Sequence, residues 1–536
     1  MKKISRLAGV VLIAALSAAC GTSTKTSAVG NSITPGSLAL DPPFRIASLN
    51  AAAFGAELGA SLTGVQLLAI AGPPACGVDF YYLKFWTVGA ASEATESSGA
   101  LMVPTGGTGC SGPRPVVLYA HGTNPNRALN IADVTNTTNN EGILIAAMFA
   151  AQGYIVVAPN YAGYDISNLG YHPFLNAAQQ SGEMMNILTA ARTALPHTFS
   201  NATTDSGQLF VAGYSEGGHV ALATLRALQA AGAAVTAAAP MSGPYALEAF
   251  GDAIFYGEVA VGSTVFAPLL SSSFQHAYGN IYAATTDIFS PSYATGIDSL
   301  LPSTTPIGTL FANGTLPQTV LFDSATPVVD IPGQAALSAQ LTAALAVPSD
   351  PTNPATPVFA AGFGSPYLIN NDYRVSYALD AAADPDGAVP TPSAGVPLAA
   401  VAPAQTLRLA FYTNDLRNGN WAPTSPTLLC GGGQDPTVFY GVNTGTMAAF
   451  WSAEVSAGLI TVLDVNSAPS GPFAEVQAGF VASQAAALAF YQSAAGGGLS
   501  LAAAKQKAIQ NYHVAAAPFC SVAARSFFSQ FVGVQQ

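Results

Sequence analysis

The residues in this chain whose types and spacing most directly offer chemistry are Gly213-Tyr214-Ser215-Glu216-Gly217. A serine hydroxyl is a poor nucleophile at neutral pH unless it is held out for reaction and given a base. The Gly-x-Ser-x-Gly spacing does the first of these. It perches the serine on a sharp strand-to-helix bend, where bulk two residues before or after would strike the neighbouring strand or helix. The flanks agree: Leu209 to Ala212 is a short apolar run expected as a buried strand, and an Ala/Leu-rich helical pattern runs from Gly218 to Ala231.

The bend resembles the nucleophile turn of α/β-hydrolases, and that resemblance implies that the acid and the histidine follow the serine in chain order. Of six histidines only His276 and His513 lie beyond the helix after Ser215. His276 precedes every late acidic loop, so His513 is the expected base. Asp415, Asp435 and Asp464 compete as its partner. Asp435 follows a short apolar strand through three glycines, which suits a loop that turns a carboxylate toward a histidine, and it is the first choice. Asp464 ends the next strand and comes second. Asp415 reads as a helix cap or surface charge. Two backbone N–H groups must bind the oxyanion: that of Glu216, immediately after the serine, and that of Thr123, in the loop after the strand ending at Ala120. His121 is expected to brace that loop, and His219 to be structural.

The elements that must position these residues read as alternating strands and helices. Asp79 to Val88 is expected as the first strand, with Gly99 to Pro104 as its hairpin partner. Pro115 to Ala120, Tyr154 to Ala158 and Val235 to Pro240 read as buried strands, with helices over Ile143 to Gln152 and Asn176 to Leu195. Such alternation implies a mostly parallel sheet covered on both faces. From Ala246 to Pro403 the rhythm breaks into Pro- and Thr-rich joints, and a structureless loop of that length is implausible, so residues 246–403 are expected to form an inserted cap. Order returns with a helix over Ala404 to Asp415, strands at Pro426 to Cys430 and Leu459 to Leu463, and helices over Thr446 to Ala457 and Phe473 to Gln492.

Composition narrows the class. Half of the 536 residues are hydrophobic and 8% charged, the opposite of a disordered chain. A net charge of −12 argues against nucleic acid as a partner. The one long apolar segment is the N-terminus. Lys2, Lys3 and Arg6 precede an apolar run over Leu7 to Leu16, and Ser17-Ala18-Ala19-Cys20-Gly21 resembles a bacterial lipobox that would lipidate Cys20. The alternative is an ordinary cleaved signal peptide; both imply export. Residues 1–20 are therefore expected as a lipoprotein signal peptide, 21–45 as a flexible tether, 46–245 as the first part of the core and 404–536 as its second. Setting Cys20 aside, Cys76, Cys110, Cys430 and Cys520 allow two disulfides in three connectivities. Cys76 with Cys110 are near in sequence, and Cys430 with Cys520 would tie the Asp435 loop to the His513 segment. There is no C-x-x-C to suggest a zinc or redox site, and the chemistry asks for no metal or organic cofactor.

The set Tyr119-Ala-His-Gly-Thr, Ala158-Pro-Asn-Tyr-Ala-Gly-Tyr, Gly-Tyr-Ser215-Glu-Gly-Gly and Cys430-Gly-Gly-Gly-Gln-Asp435 resembles the α/β-hydrolase superfamily. More narrowly, it is similar to the secreted fungal and bacterial lipase group that includes the lipase A type from yeast. The resemblance runs from Phe80 to Gln536 and implies hydrolysis of carboxylic esters through an acyl-enzyme, with a lid inserted after the sixth core strand. Asn160 stands where relatives often carry Asp. An exported serine esterase or lipase is the resulting expectation, acting on small-molecule, lipid or polymer esters and bound to the cell envelope through Cys20, or secreted. Its rivals are a peptidase or amidase on the same fold and a non-catalytic binding protein.

Overall fold

The computed structural model describes residues 33–136, 140–389, 395–452, 455–456 and 458–533. Cys20 and the expected signal peptide lie outside them. The body from Thr34 to Gln536 is one compact unit.

Its centre is a nine-stranded sheet. In chain order its strands are β1 (Phe44–Leu49), β2 (Gly77–Val88), β3 (Ala94–Thr105), β4 (Gly112–Ala120), β5 (Ile155–Pro159), β6 (Thr203–Tyr214) and β7 (Ala237–Met241), and after the insertion Thr427–Gly431 and Ile460–Asp464. A separate parallel pair within the insertion, β8 (Phe322–Asp323) and β9 (Phe363–Gly364), makes the last two β10 and β11. The spatial order is β1-β2-β3-β5-β4-β6-β7-β10-β11. Pairings from β1 to β5 along this order are antiparallel, and all those from β5 through β4 to β11 are parallel.

Two sequence expectations are corrected here. Asp79 to Val88 is not the first strand, because Phe44–Leu49 pairs along it as an edge. The tether does not extend to residue 45: Gly36 and Ala39 N–H donate to the Trp86 and Lys84 carbonyls, which places residues 34–49 along the sheet edge. This stretch carries no strong apolar alternation, so its pairing is invisible until β2 is there to receive it.

Alternation along the central strands builds two apolar layers. Val117 and Tyr119 face one layer with Val156, Phe210 and Ala212, while Val116, Leu118 and Ala120 face the other with Ile155, Val157 and Val211. The helices Ala177–Ala194 and Glu216–Ala230 cover the second face. Ala51–Gly59, Leu62–Ala71, Asn140–Met148 and Tyr512–Ser529 cover the first. Burying both faces of a parallel sheet makes its strands continuous apolar runs in the sequence.

Between β7 and β10 the regular structure of the described residues is helical apart from β8 and β9, with Leu247–Tyr256, Ser263–Tyr278 and Asn371–Ala383 among its helices. Helix Thr406–Asn414 packs on Leu247–Tyr256 through Arg408, whose guanidinium lies 2.9 Å from Asp252 and 3.3 Å from both Glu248 and Asp380. A second buried arginine, Arg417, bridges Asp386 and Asp415 at 2.7 Å each. Asp415 is thus committed to that pair and to the Glu248 N–H.

Candidate active site

β6 ends at Tyr214 and the next helix begins at Glu216, so Ser215 alone makes the bend, at φ 61° and ψ −125°. Few non-glycine residues adopt that conformation, and the surroundings over-determine it here. Ser215 N–H donates to Met241 O at 3.0 Å, and Ser215 O accepts from Gly218 N at 2.8 Å. Bulk at Gly217 is excluded, since a Cβ there would lie 2.0 Å from Ala120 O.

β10 delivers the acid. After Gly431 the chain squeezes past Tyr512, where a Cβ on Gly432 would lie 2.4 Å from the tyrosine ring, and reaches Asp435. One oxygen of this buried carboxylate accepts from the Thr437 and Val438 N–H groups at 2.8 and 3.1 Å. The other lies 2.6 Å from His513 Nδ1. An N–H at Nδ1 leaves Nε2 with a bare lone pair, and that atom is buried without a partner among the described residues. His513 is the second residue of helix Tyr512–Ser529, and the Tyr214 hydroxyl, next to Ser215, donates to its carbonyl at 2.5 Å. The Tyr214 and His513 rings are 4.9 Å apart. Disulfide Cys430–Cys520 joins the end of β10 to the helix bearing His513, and Cys76 pairs with Cys110.

The structure therefore brings Ser215, Asp435 and His513 to one end of the sheet. Asp464 does other work: its Oδ1 accepts from the Gly433 and Asn466 N–H groups at 2.8 Å each, holding the glycine loop. Thr123 lines the same cavity as Ser215 and Glu216, and neither the Thr123 nor the Glu216 N–H donates to another described residue. His121 braces its loop, with Nδ1 2.7 Å from Gly122 O and Nε2 3.2 Å from Asn160 O. His219 bonds Asn414 O at 2.9 Å, and burial pushes its pKa down to about 4. Asn160 is structural, accepting from Ile131 N at 2.7 Å and donating to Ser98 Oγ at 2.8 Å. His276 stacks on Tyr171, away from His513.

Two acids near the serine, buried Glu216 and half-buried Glu141, have side-chain partners that no sequence spacing indicated. Glu216 Oε1 bonds His172 Nε2 and Gln180 Nε2, both at 2.7 Å. Burial works to raise its pKa, but the His172 charge and these hydrogen bonds prevail and hold the carboxyl below its ordinary value. Glu141, at the start of the helix after the Thr123 loop, accepts from Tyr119 and from Gly122 N–H. No spacing rule links Glu141 to Gly122 or His172 to Glu216, because tertiary packing alone brings each pair together.

Ser215 opens into a predominantly apolar cavity. Phe174 and Val438 from the core, Phe250, Phe266 and Leu321 from the insertion and Phe411 after it line the walls. Glu216 is its only charged lining residue among the described residues.

A mostly parallel sheet, a serine on the bend after β6 and an insertion following β7 make this an α/β-hydrolase-fold protein. Among solved structures it is similar to the rice cell wall degrading esterase LipA from Xanthomonas oryzae, at 25% identity over 80% of this chain and 91% of that one, with a TM-score of 0.59. The Legionella pneumophila protein lpg1103 shares the fold at 18% identity over 92% and 98% of the two chains, with a TM-score of 0.54. Candida antarctica lipase A in its closed state aligns at 12% identity over 81% and 76%, with a TM-score of 0.42. No protein-family model and no curated protein matches the sequence.

Proposed function

We propose that this protein is a serine hydrolase of carboxylic esters with apolar acyl groups. Ser215 Oγ attacks the ester carbonyl while His513 Nε2 takes its proton. The oxyanion rests on the Glu216 and Thr123 N–H groups, and collapse of the tetrahedral intermediate expels the alcohol, which receives that proton. Water then repeats the sequence on the acyl-enzyme, releasing the acid and restoring Ser215. Asp435 keeps the imidazole in the tautomer with Nε2 bare and stabilises the imidazolium.

The observation that carries this reading is the His513 ring, bonded through Nδ1 to a buried carboxylate, with Nε2 unpartnered among the described residues and the ring 4.9 Å from that of Tyr214, the residue before Ser215. The similarity to the LipA esterase supports ester chemistry in particular. The cavity supports an apolar acyl group, polymeric esters included, over a charged peptide terminus, since its lining is otherwise uncharged among the described residues and Glu216 Oε1 is bonded to His172 and Gln180. Two disulfides fit export to an oxidising compartment. Within that reading Cys20 would carry a lipid that anchors the protein to the cell envelope, with residues 1–20 removed or processed as a signal.

The test is fluorophosphonate labelling together with turnover of para-nitrophenyl esters and aminoacyl anilides. Labelling should vanish in Ser215→Ala and fall steeply in His513→Ala, and esters should be cleaved well ahead of anilides. Labelling that survives in Ser215→Ala refutes the assignment, and faster anilide cleavage makes the protein an amidase instead.

A further inference from the structure

We propose that Glu141 is a positioning residue for the oxyanion site, acting through the backbone of Gly122; this rests on the hydrolytic reading above. β4 ends at Ala120, and the segment that follows has no regular structure to fix it. Its functional group is the Thr123 N–H, which shares a rigid planar peptide with the Gly122 carbonyl. That carbonyl is held from one side by His121 Nδ1 at 2.7 Å. In a trans peptide the C=O and N–H point in opposite directions, so anchoring the carbonyl aims the Thr123 N–H away from His121.

One contact does not fix the orientation, because the chain can still pivot about Gly122, which has no side chain to pack. The Tyr161 hydroxyl, donating to His121 O at 3.1 Å, holds the peptide that carries the Gly122 N–H, and Glu141 supplies the contact on that N–H itself. Both its carboxyl oxygens lie 3.1 Å from Gly122 N, and Oε1 also accepts from the Tyr119 hydroxyl at 2.9 Å. Gly122 is thereby gripped at its N–H by Glu141 and at its C=O by His121. The grip sits against the nucleophile. A Cβ built on Gly122 would lie 3.4 Å from Ser215 Cβ and 3.6 Å from Glu141 Oε2, so the three residues meet at one point.

A bare carboxylate beside a forming oxyanion would oppose catalysis. Here the carboxyl is engaged by hydrogen bonds, and burial raises its pKa, against the opposing influence of the His121 charge and those bonds. Glu141 therefore acts as a hydrogen-bond acceptor, and glutamine should replace it whereas alanine should not.

The experiment measures kcat and KM for para-nitrophenyl butyrate with the full chain and its Glu141→Ala, Glu141→Gln and Ser215→Ala variants. Loss of a whole oxyanion donor costs about 10²–10³ in kcat, so a donor left present but loosely aimed should cost roughly 10–100-fold. Glu141→Ala is expected to lose that much in kcat with KM changed less than about threefold, and Glu141→Gln to stay within about fivefold of the parent. The proposal is overturned if Glu141→Ala keeps kcat within about twofold, if glutamine does no better than alanine, or if KM rises in step with the loss. Should Glu141→Ala fail to fold, Tyr119→Phe removes one anchor of the carboxyl and keeps the ring. A kcat loss of about 2–10-fold at constant KM then supports the proposal, and an unchanged kcat overturns it. Ser215→Ala separates the two levels: if it still turns over ester, the hydrolytic reading fails whatever Glu141 does.

Discussion

Replacing Asp435 with asparagine probes the arrangement most directly. The substitution is nearly isosteric, and the side-chain oxygen can go on accepting from the Thr437 and Val438 N–H groups. What changes is the other atom, 2.6 Å from His513 Nδ1, which becomes an NH2 donor. A donor there requires an acceptor at Nδ1, so the imidazole proton moves to Nε2, the atom that must take the serine proton. The base is then in the wrong tautomer, and the imidazolium formed during attack has lost its counter-charge. At about 4 Å between charge centres and an effective dielectric near 20, that attraction is roughly 4 kcal/mol. With about 1.36 kcal/mol per factor of ten in rate, the charge alone accounts for about 10³, and the tautomer brings the expected loss in kcat to about 10³–10⁴. The assay is initial-rate hydrolysis of para-nitrophenyl butyrate near neutral pH, with thermal melting alongside. Asp435→Asn should melt within a few degrees of the parent. The reasoning is refuted if the variant keeps more than about a tenth of the parental kcat, or if Asp464→Asn, which only loosens the glycine loop, loses as much.

Other outcomes follow from the same structure. Cys430→Ser with Cys520→Ser should cost about 2–4 kcal/mol in denaturant unfolding, and ester turnover should fall well before global unfolding, because that bridge ties β10 to the His513 helix. Ile254→Trp, which fills part of the cavity, should lower kcat/KM for octanoyl and longer esters at least about tenfold more than for acetyl ester, measured across an acyl-length panel. Stability should also fall as pH rises. Burial lifts Glu248 to about 9 and Asp252 to about 6, above their unfolded values, so the folded state holds protons the unfolded chain has released. Their contribution is intact in acid and is lost as pH climbs through those values. Melting temperature between pH 5 and 9 should therefore decline, and Glu248→Gln should flatten the decline; a rise with pH would contradict this assignment.

How much of this was legible in the sequence depended on whether the forces were local. The bend at Ser215 is written in adjacent residues, because glycine at position 213 answers the approach of Gly217 O, which would lie 2.1 Å from a Cβ there. The buried strands announce themselves as apolar runs because both sheet faces are covered. The insertion was visible only as a loss of rhythm, since its helices pack on one another and on Thr406–Asn414, just beyond the expected boundary at 403. The edge strand Phe44–Leu49 was missed because an edge with one solvated side needs no apolar pattern.

Sequence order by itself narrowed the base to His513 and the acid to three aspartates, since chain direction and residue type are one-dimensional properties. It also supplied the four cysteines. Choosing among the aspartates required three dimensions. Asp415 is neutralised by Arg417, Asp464 is spent on the Gly433 and Asn466 N–H groups, and only Asp435 is left facing an imidazole. The pairing of Glu216 with His172 and of Glu141 with Gly122 belongs wholly to the tertiary structure. A buried carboxyl must find a partner wherever packing puts one, and nothing in the linear chain records which donors the fold will bring alongside.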